Sequence, residues 1–259
     1  MNDLHRKIAS LAVLLAAVGL TTAAAPVAAA DGPNASGPQG DTWASIAKLP
    51  DWQGIWELNW RAGGGLGAAR PAPPKLTPAA QAKLDAYKKA QESGKDLQPD
   101  QANCLPPGMP GMMTQPYPIE FLYSPGKVAI ATEAYMQLRQ VFTDGRAHPK
   151  DPDPLFNGHS TGHWEGDTLV VDTVGFVPWS MLSPGIGHSD DMHIVERIRR
   201  TGPEVIEIKQ TITDPKVLAE PWTVSHFYKL VKDDLREYEC EQNNHDSADA
   251  EGRPGIKVN

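Results

Sequence analysis

The stretch NGHSTGHWEGDTLVVDTVGF, residues 157–176, decides the fold. Gly-His-Trp leads into the turn residues Glu165-Gly166-Asp167, and the run Thr-Leu-Val-Val-Asp-Thr follows them. Runs rich in β-branched and aromatic residues on both sides of a Gly-containing turn are typical of two antiparallel strands. The stretch therefore predicts a β-hairpin over Gly162–Phe176.

Similar runs lie on both sides of this hairpin. Alternating apolar and polar residues in VAIATEAYMQLRQVF predict one strand over Val128–Phe142, which ends at a turn at Asp144-Gly145. The other predicted strands are a first one near Trp52–Trp60, the pair His193–Arg200 and Val205–Thr213, and the pair Trp222–Val231 and Leu235–Gln242. Hairpin follows hairpin, so the predicted fold class is mainly β: an antiparallel lipocalin-like (calycin-type) β-barrel with long Pro/Gly-rich loops.

One helix is predicted near residues 78–93. Thr77 is a favourable N-cap, Pro78 suits the first turn, and Gly94 ends the helical run. Composition divides the rest of the chain. Residues 51–250 are predicted to form a single barrel domain, residues 31–50 a disordered linker rich in Gly, Pro, Ser and Ala, and residues 251–259 a flexible tail.

The N-terminus has the three-part layout of a secretory signal peptide over residues 1–30. Arg6 and Lys7 precede an apolar run over residues 8–20, and a small-residue segment ends in an Ala-x-Ala site at Ala30. A retained membrane anchor is the alternative, but the apolar run is too short to span a bilayer comfortably. We therefore expect a periplasmic or secreted protein with no membrane span after the leader is removed.

Charge and cysteine content limit which partners and which cellular compartment we expect. The net charge is −8, and an acidic protein repels phosphate backbones, so nucleic acid is not expected as a partner. Cys104 and Cys240 are the two cysteines. In an oxidising compartment they predict one disulfide, with two buried thiols as the alternative.

Four of the eight histidines fall within residues 157–200. His159 and His163 share one face of a straight strand, but they stand about 13 Å apart, too far for one metal ion. Together with His188 and His193 they form a zinc site only if loops fold over. We therefore favour histidines that hydrogen-bond in a polar pocket, and we predict no cofactor, with zinc as the open alternative.

Charged residues also interrupt the apolar rows of the predicted strands. In HIVERIRR, Glu196 faces the same way as Ile194 and Ile198, and an unpaired carboxylate buried there is costly. We expect some of Glu133, Arg139, Glu196 and Arg197 to pair across strands inside the barrel. Surface-facing strand charges are an equally weighted alternative.

Three strings, NGHSTGHWEGDTLVVDT, GHSDDMHIVERIRR and WTVSHFYKL, resemble a family of uncharacterised exported bacterial proteins. That family carries NGHS-x-GHWEGDTLVVDT and GHSD-x-MHIVERIRR motifs, and the resemblance runs from about Cys104 to the end of the chain. It implies no established activity. At fold level the pattern is similar to lipocalin-like barrels, a group that includes carriers and cofactor-free enzymes such as phenolic acid decarboxylases.

The first functional hypothesis is an exported enzyme that runs acid–base chemistry on a small organic ligand bearing a carboxylate or phenol. No nucleophile elbow occurs, so a lyase, decarboxylase or isomerase is favoured over covalent catalysis. The candidate catalytic residues are His159, His163, His193 and Glu133, and the candidate ligand-binding residues are Arg139, Arg197, Tyr135, His188, Glu196 and Trp164. A lipocalin-like carrier and a metal-binding protein are the alternatives, and the oligomeric state stays open.

Overall fold

A computed structural model describes residues 39–59, 72–93, 104–240, 247–248 and 254–255. All of them belong to one compact unit of the chain, Ala35–Asn259. The predicted signal peptide lies outside the described residues, as do residues 31–38 of the predicted linker and most of the predicted tail. No helix among the described residues is long and apolar enough to cross a bilayer.

The described residues form a mainly β structure around a closed barrel of nine strands. The barrel strands are β1 Ile55–Leu58, β2 Ile119–Ser124, β3 Lys127–Thr132, β4 Gln137–Phe142, β5 His159–Glu165, β6 Thr168–Val174, β9 His193–Gly202, β10 Val205–Thr213 and β11 Trp222–Val231. Two separate two-stranded sheets contain β7 Met181–Ser183 with β8 Ile186–Gly187, and β12 Ser247–Ala248 with β13 Pro254–Gly255. Barrel neighbours follow chain order, and β1 pairs with both β2 and β11 to close the ring. The small hairpin β7–β8 is inserted between β6 and β9 and stays outside the barrel. The predicted β-barrel is confirmed, and its meander order fits the lipocalin-like type.

The pair β4–β5 is the one parallel pair among the barrel strands, and it joins Val141 to Ser160 and Phe142 to Thr161. A closed ring with an odd number of strands cannot be antiparallel throughout, so at least one neighbouring pair must run parallel. The connection 143–158 supplies the return crossing that a parallel pair needs. Its path over the barrel wall brings loop side chains onto β5.

Aromatic and aliphatic side chains fill the barrel interior. Trp52, Trp56 and Trp164 are buried, and the rings of Trp52 and Trp164 lie 5.0 Å apart between centroids. On β5 and β9 buried residues alternate with more exposed ones, as one core-facing side requires. The barrel is therefore a packed core rather than an open cup.

The predicted single strand Val128–Phe142 is instead a hairpin. β3 and β4 pair antiparallel across a 3₁₀ turn at Ala134–Met136, where Tyr135 and Met136 have φ values of 56° and 48°. Neither Gly nor Pro marks this turn, so the alternating pattern runs through it without a signal. The strand β2 also forms, although it was not predicted.

The predicted last strand is wrong over its described part, residues 235–240, which contain no strand. This segment is held by side chains instead: Glu133 Oε2 accepts a hydrogen bond from Arg236 N at 2.8 Å, and Tyr238 packs against Tyr117 and Tyr135. The predicted disulfide is confirmed: Cys104 and Cys240 are bonded, with 5.6 Å between their Cα atoms. The chain after β11 is therefore fixed to the segment before β2.

Two α-helices and a 3₁₀ helix at Gly111–Thr114 complete the described structure. α1 covers Trp43–Ile46, so the predicted disorder of residues 31–50 does not extend to this segment. α2 covers Pro78–Glu92, and the Thr77 side chain accepts a hydrogen bond from Ala80 N as an N-cap, which confirms the predicted helix. α2 buries no residue of its own and packs on β8. Gly185, just before β8, leaves room for the Tyr87 ring.

Candidate functional site

A polar network lies inside the barrel, where Arg139 of β4 and Glu196 of β9 form a buried ion pair. The Arg139 guanidinium also donates to Ser160 and Thr173, while Gln210 Nε2 donates to Glu196 Oε1 at 3.0 Å. Of the four charged residues among which interior pairs were expected, Arg139 and Glu196 are buried, whereas Glu133 is only half-buried and Arg197 is exposed. Because both carboxylate oxygens of Glu196 are already bonded, the pair holds the barrel wall together rather than presenting a free base.

His226 extends this network towards β11. Its Nε2 lies 3.1 Å from Gln210 Oε1, and burial lowers the pKa of His226 below its usual value. The Arg139 Nη1 atom is buried and has no hydrogen-bond partner among the described residues. The interior therefore holds a connected set of polar groups, but the apolar cavity described below is not lined by any of them.

The predicted catalytic histidines lie on the outer wall of the barrel rather than in its interior. On β5, Ser160 and Trp164 are buried, whereas His159 and His163, on the other face of the pleat, are only half-buried. His193 has the same outward orientation on β9. The period-two pleat sends neighbouring side chains to opposite faces, so burial of Ser160 and Trp164 turns the histidines outward.

His159 and His193 nevertheless belong to one cluster, which also contains His148 and Asp172. His148 Nδ1 lies 2.9 Å from His159 Nδ1, and His148 Nε2 lies 3.0 Å from Asp172 Oδ1. His193 Nε2 lies 2.6 Å from the same carboxylate oxygen. We call these four residues the outer-wall cluster.

The strand register explains how three of these side chains meet. In the pair β5–β6, Thr161 stands opposite Asp172, and in the pair β6–β9, Asp172 stands opposite Val195. His159 and His193 are therefore diagonal neighbours of Asp172 on one outward face. Counting outward from the predicted turn at residues 165–167 would have paired Asp172 with Ser160, whereas the observed turn is one residue shorter and pairs Asp172 with Thr161. His148, within the connection 143–158, has no sequence signal.

Gly158 sets the entry of the chain into β5. It has a φ of 65°, and a Cβ at this position would lie 2.8 Å from Phe176, Thr173 and the Val174 carbonyl oxygen. Only glycine avoids both the left-handed strain and this crowding. The next residue, His159, is thereby brought against the Phe142 ring, with 5.5 Å between ring centroids.

The charges within the cluster separate the pKa values of its members. The hydrogen bond and charge of Asp172 raise the pKa of His193, despite an opposing effect of burial. Burial raises the pKa of Asp172, but the bonds and charges of His193 and His148 outweigh it and hold this pKa below the usual range. Burial, followed by the nearby His148 and Arg146, lowers the pKa of His159. The contact thus favours the carboxylate form of Asp172 and the imidazolium form of His193.

The remaining predicted site residues are scattered. His163 pairs with Glu165 at 3.2 Å, and Arg197 binds the same carboxylate at 2.8 Å on the outer surface. His188 Nε2 lies 2.9 Å from the Val177 carbonyl oxygen, within a loop. Trp164 is in the core, Glu133 binds the backbone of Arg236, and Tyr135 belongs to a tyrosine group at the surface. These residues therefore do not form a single site.

An apolar cavity of about 360 Å³ lies at the end of the barrel where β11 begins. Two indoles, three prolines and several aliphatic side chains dominate its lining, which consists of Leu105, Pro106, Pro107, Gly111, Thr114, Gln115, Trp179, Met181, Leu182, Ser183, Pro184 and Trp222. Trp222 Nε1 donates to the Ala72 carbonyl at 2.9 Å, which fixes this indole. We call this apolar cavity the mouth cavity. None of the predicted site residues lines it.

Two other concave regions include predicted residues. An open groove of about 410 Å³ is lined in part by Tyr135, Met136 and Tyr238, and a small cavity of about 100 Å³ includes His188. The groove is shallower and more polar than the mouth cavity. Among the described residues, no group of three or more His, Cys, Asp or Glu side chains is arranged to hold a metal ion.

Comparison with protein-family models and with curated proteins gives no match for this chain. The barrel, the outer-wall cluster and the mouth cavity are therefore the basis for any statement about function.

Proposed function

We propose that the protein binds a small, largely uncharged organic ligand in the mouth cavity, as an exported carrier. The observation that carries this proposal is the lining of that cavity by Trp179, Trp222 and Met181 with few polar atoms around them. Its volume falls within the range of small-molecule sites, which are mostly apolar with a few polar groups that orient the ligand. Thr114, Gln115 and Ser183 supply such groups.

Export is part of the same proposal. The Cys104–Cys240 disulfide suits an oxidising compartment, and Leu105 of the cavity lining directly follows Cys104. The disulfide thus supports the predicted periplasmic or secreted location and steadies one wall of the cavity. A carrier needs a ligand site without reactive groups, and the lining of the mouth cavity contains no His, Asp, Glu, Lys or Arg side chain.

Binding of the neutral dye N-phenyl-1-naphthylamine tests the proposal. We expect saturable dye fluorescence with the wild-type protein, weakened about tenfold or more in Trp179→Ala because an aromatic wall is lost. Trp43→Ala is the matched control, since Trp43 is 70 % exposed and lies outside the cavity lining. Equal dye affinity in all three proteins, or no saturable binding by the wild type, would refute the proposed site.

Acid–base catalysis at the outer-wall cluster is the second candidate, and the chain Asp172–His148–His159 favours it. A carboxylate that orients one imidazole, which in turn bonds a second imidazole, is an arrangement that supports a general base. If this reaction class is right, the wild type converts a hydroxylated cinnamic acid, seen as loss of its ultraviolet absorbance, and His159→Gln does not. His163→Gln keeps the activity, because His163 bonds only to Glu165 in the described contacts. Absence of turnover by the wild type removes this candidate.

A further inference from the structure

A contact between two imidazoles joins the connection 143–158 to the barrel wall. His148 belongs to the connection and His159 begins β5, and their Nδ1 atoms are 2.9 Å apart. A hydrogen bond between two ring nitrogens needs a proton on one of them and a lone pair on the other. The contact therefore exists only while at least one of the two Nδ1 atoms is deprotonated.

Charged groups face this pair from each neighbouring element. Asp172 of β6 binds His148 Nε2, and His193 of β9 competes for the same oxygen. On the other side, Arg146 of the connection stacks over the Phe142 ring of β4, 3.9 Å from its centroid, and it is paired with Asp144. Thr161 Oγ1 of β5 lies 3.3 Å from His148 Nε2.

Counting protons shows when the contact fails. Two neutral rings carry two protons, and a third proton is tolerated because one Nδ1–H still faces one lone pair. A fourth proton places two N–H groups and two positive charges against each other, with ring centroids only 5.1 Å apart. Burial and the neighbouring His148 and Arg146 lower the pKa of His159, so the protonated form of His159 is disfavoured in this contact.

The connection 143–158 also supports the wall of the mouth cavity. The Phe156 carbonyl oxygen accepts a hydrogen bond from Met109 N at 2.8 Å, and its ring packs edge-on against Trp179 with 6.0 Å between centroids. Leu155 exchanges backbone hydrogen bonds with Gly175 and Val177, which precede Trp179. Displacement of the connection therefore removes support behind one indole of the cavity.

We propose that the His148–His159 contact is an acid-sensitive clasp that holds the connection 143–158 against β5 and so keeps the mouth cavity in its binding shape. Acidification opens the clasp, Phe156 withdraws from Trp179, and the ligand affinity falls. This inference rests on the proposed ligand site, and it adds the regulation of that site by pH. An exported protein meets the pH of its surroundings directly, so a pH-linked release has a use there.

The first test compares dye affinity at about pH 7.5 and about pH 5, a window in which histidine charge changes. We expect N-phenyl-1-naphthylamine affinity to fall about fivefold or more in the wild type on acidification. In His159→Gln the fall shrinks below about twofold, because an amide offers a donor and an acceptor but does not titrate. His163→Gln is the matched control on the same face of β5, and it keeps the wild-type pH dependence. A His159→Gln variant as pH-dependent as the wild type would overturn the clasp.

A second measurement does not need a ligand. Amide hydrogen exchange at Met109 and Val177, whose N–H groups bond to carbonyls of the connection, reports clasp opening directly once corrected for intrinsic exchange rates. We expect faster exchange at acidic pH in the wild type and His163→Gln, and no such change in His159→Gln. If the dye does not bind while exchange still responds to pH through His159, the ligand proposal fails and the clasp stands. If the dye binds and exchange does not respond, the clasp fails and the ligand site stands.

Discussion

Glu196 lies between Ile194 and Ile198 on the inward face of β9, and all three side chains are buried. At the level of single residues, this position shows how a charged side chain is accommodated in the apolar core of the barrel. A buried carboxylate without a partner costs several kcal/mol, so Arg139 and Gln210 have to saturate it. The sequence shows the conflict between charge and apolar neighbours, and the structure shows its resolution.

Replacing Glu196 by Gln should destabilise the protein by about 3 kcal/mol or more, because it leaves the Arg139 charge buried and unpaired. The free energy of unfolding from urea titration measures this loss. Glu165→Gln is the matched control, since it removes a surface carboxylate paired with Arg197, and its effect should stay within about 1 kcal/mol. Equal losses of unfolding free energy in the two variants would mean that the interior ion pair contributes no more to stability than a surface pair.

The pair His193–Asp172 predicts a pH dependence of the opposite direction to the clasp. Because Asp172 raises the pKa of His193, the stability from this pair is fully present below the unfolded-state pKa of His193 and is lost as pH rises through the higher folded-state pKa. The difference in unfolding free energy between wild type and His193→Gln should therefore shrink as pH rises above about 6.5. In Asp172→Asn, NMR titration should find a lower pKa for His193. An unchanged pKa there contradicts the assignment.

At the level of elements, the barrel has a weak point where β4 meets β5, because only two residue pairs join these strands. Gln39 covers part of the β5 edge that β4 leaves open. Its Nε2 donates to the Trp164 carbonyl oxygen at 3.1 Å, and its Oε1 accepts from Trp164 N at 2.8 Å. One side-chain amide thus takes the place of a neighbouring strand at this position.

Gln39→Ala should lower the free energy of unfolding by about 1–2 kcal/mol, since two part-buried backbone groups lose their partners. Hydrogen exchange should also accelerate at the Trp164 amide. Gln53→Ala serves as the control, because Gln53 also precedes β1 and its side chain is exposed. Unchanged exchange at Trp164 would show that the amide of Gln39 does not protect the open edge of β5.

The strands and turns also differ in how well the sequence predicts them. Hairpins with Gly-containing turns, such as the one at Gly166, were predicted because their turn chemistry is local. The turn at Tyr135 was missed because its positive φ has no glycine to mark it. For the site, strand alternation indicated that Glu196 shares a face with two isoleucines and that Arg139 was one of its possible partners, but it did not decide between an interior pair and surface charges. The mouth cavity could not be predicted, because its walls come from loops far apart in the sequence, and their packing depends on the whole barrel.

At the level of the whole molecule, one disulfide joins residues 136 positions apart and links the two chain segments that flank most of the barrel. Removing it in a Cys104→Ser/Cys240→Ser variant should cost about 2–5 kcal/mol of stability, because the unfolded chain gains freedom. Dye binding should weaken as well, since Leu105–Pro107 of the cavity lining follow Cys104. Adding a reductant should lower the stability of the wild type and leave the variant unaffected; the reverse contradicts this role.

Methionine methyl groups offer the most direct measurement of the ligand site. Met181 lines the mouth cavity, Met136 lines the separate open groove, and Met192 is buried and lines neither. In a titration of ¹³C-methyl-methionine protein with N-phenyl-1-naphthylamine, we predict that the Met181 signal moves most and that the Met192 signal stays in place. Movement of the Met136 signal with Met181 unchanged would place the ligand in the groove and contradict the account.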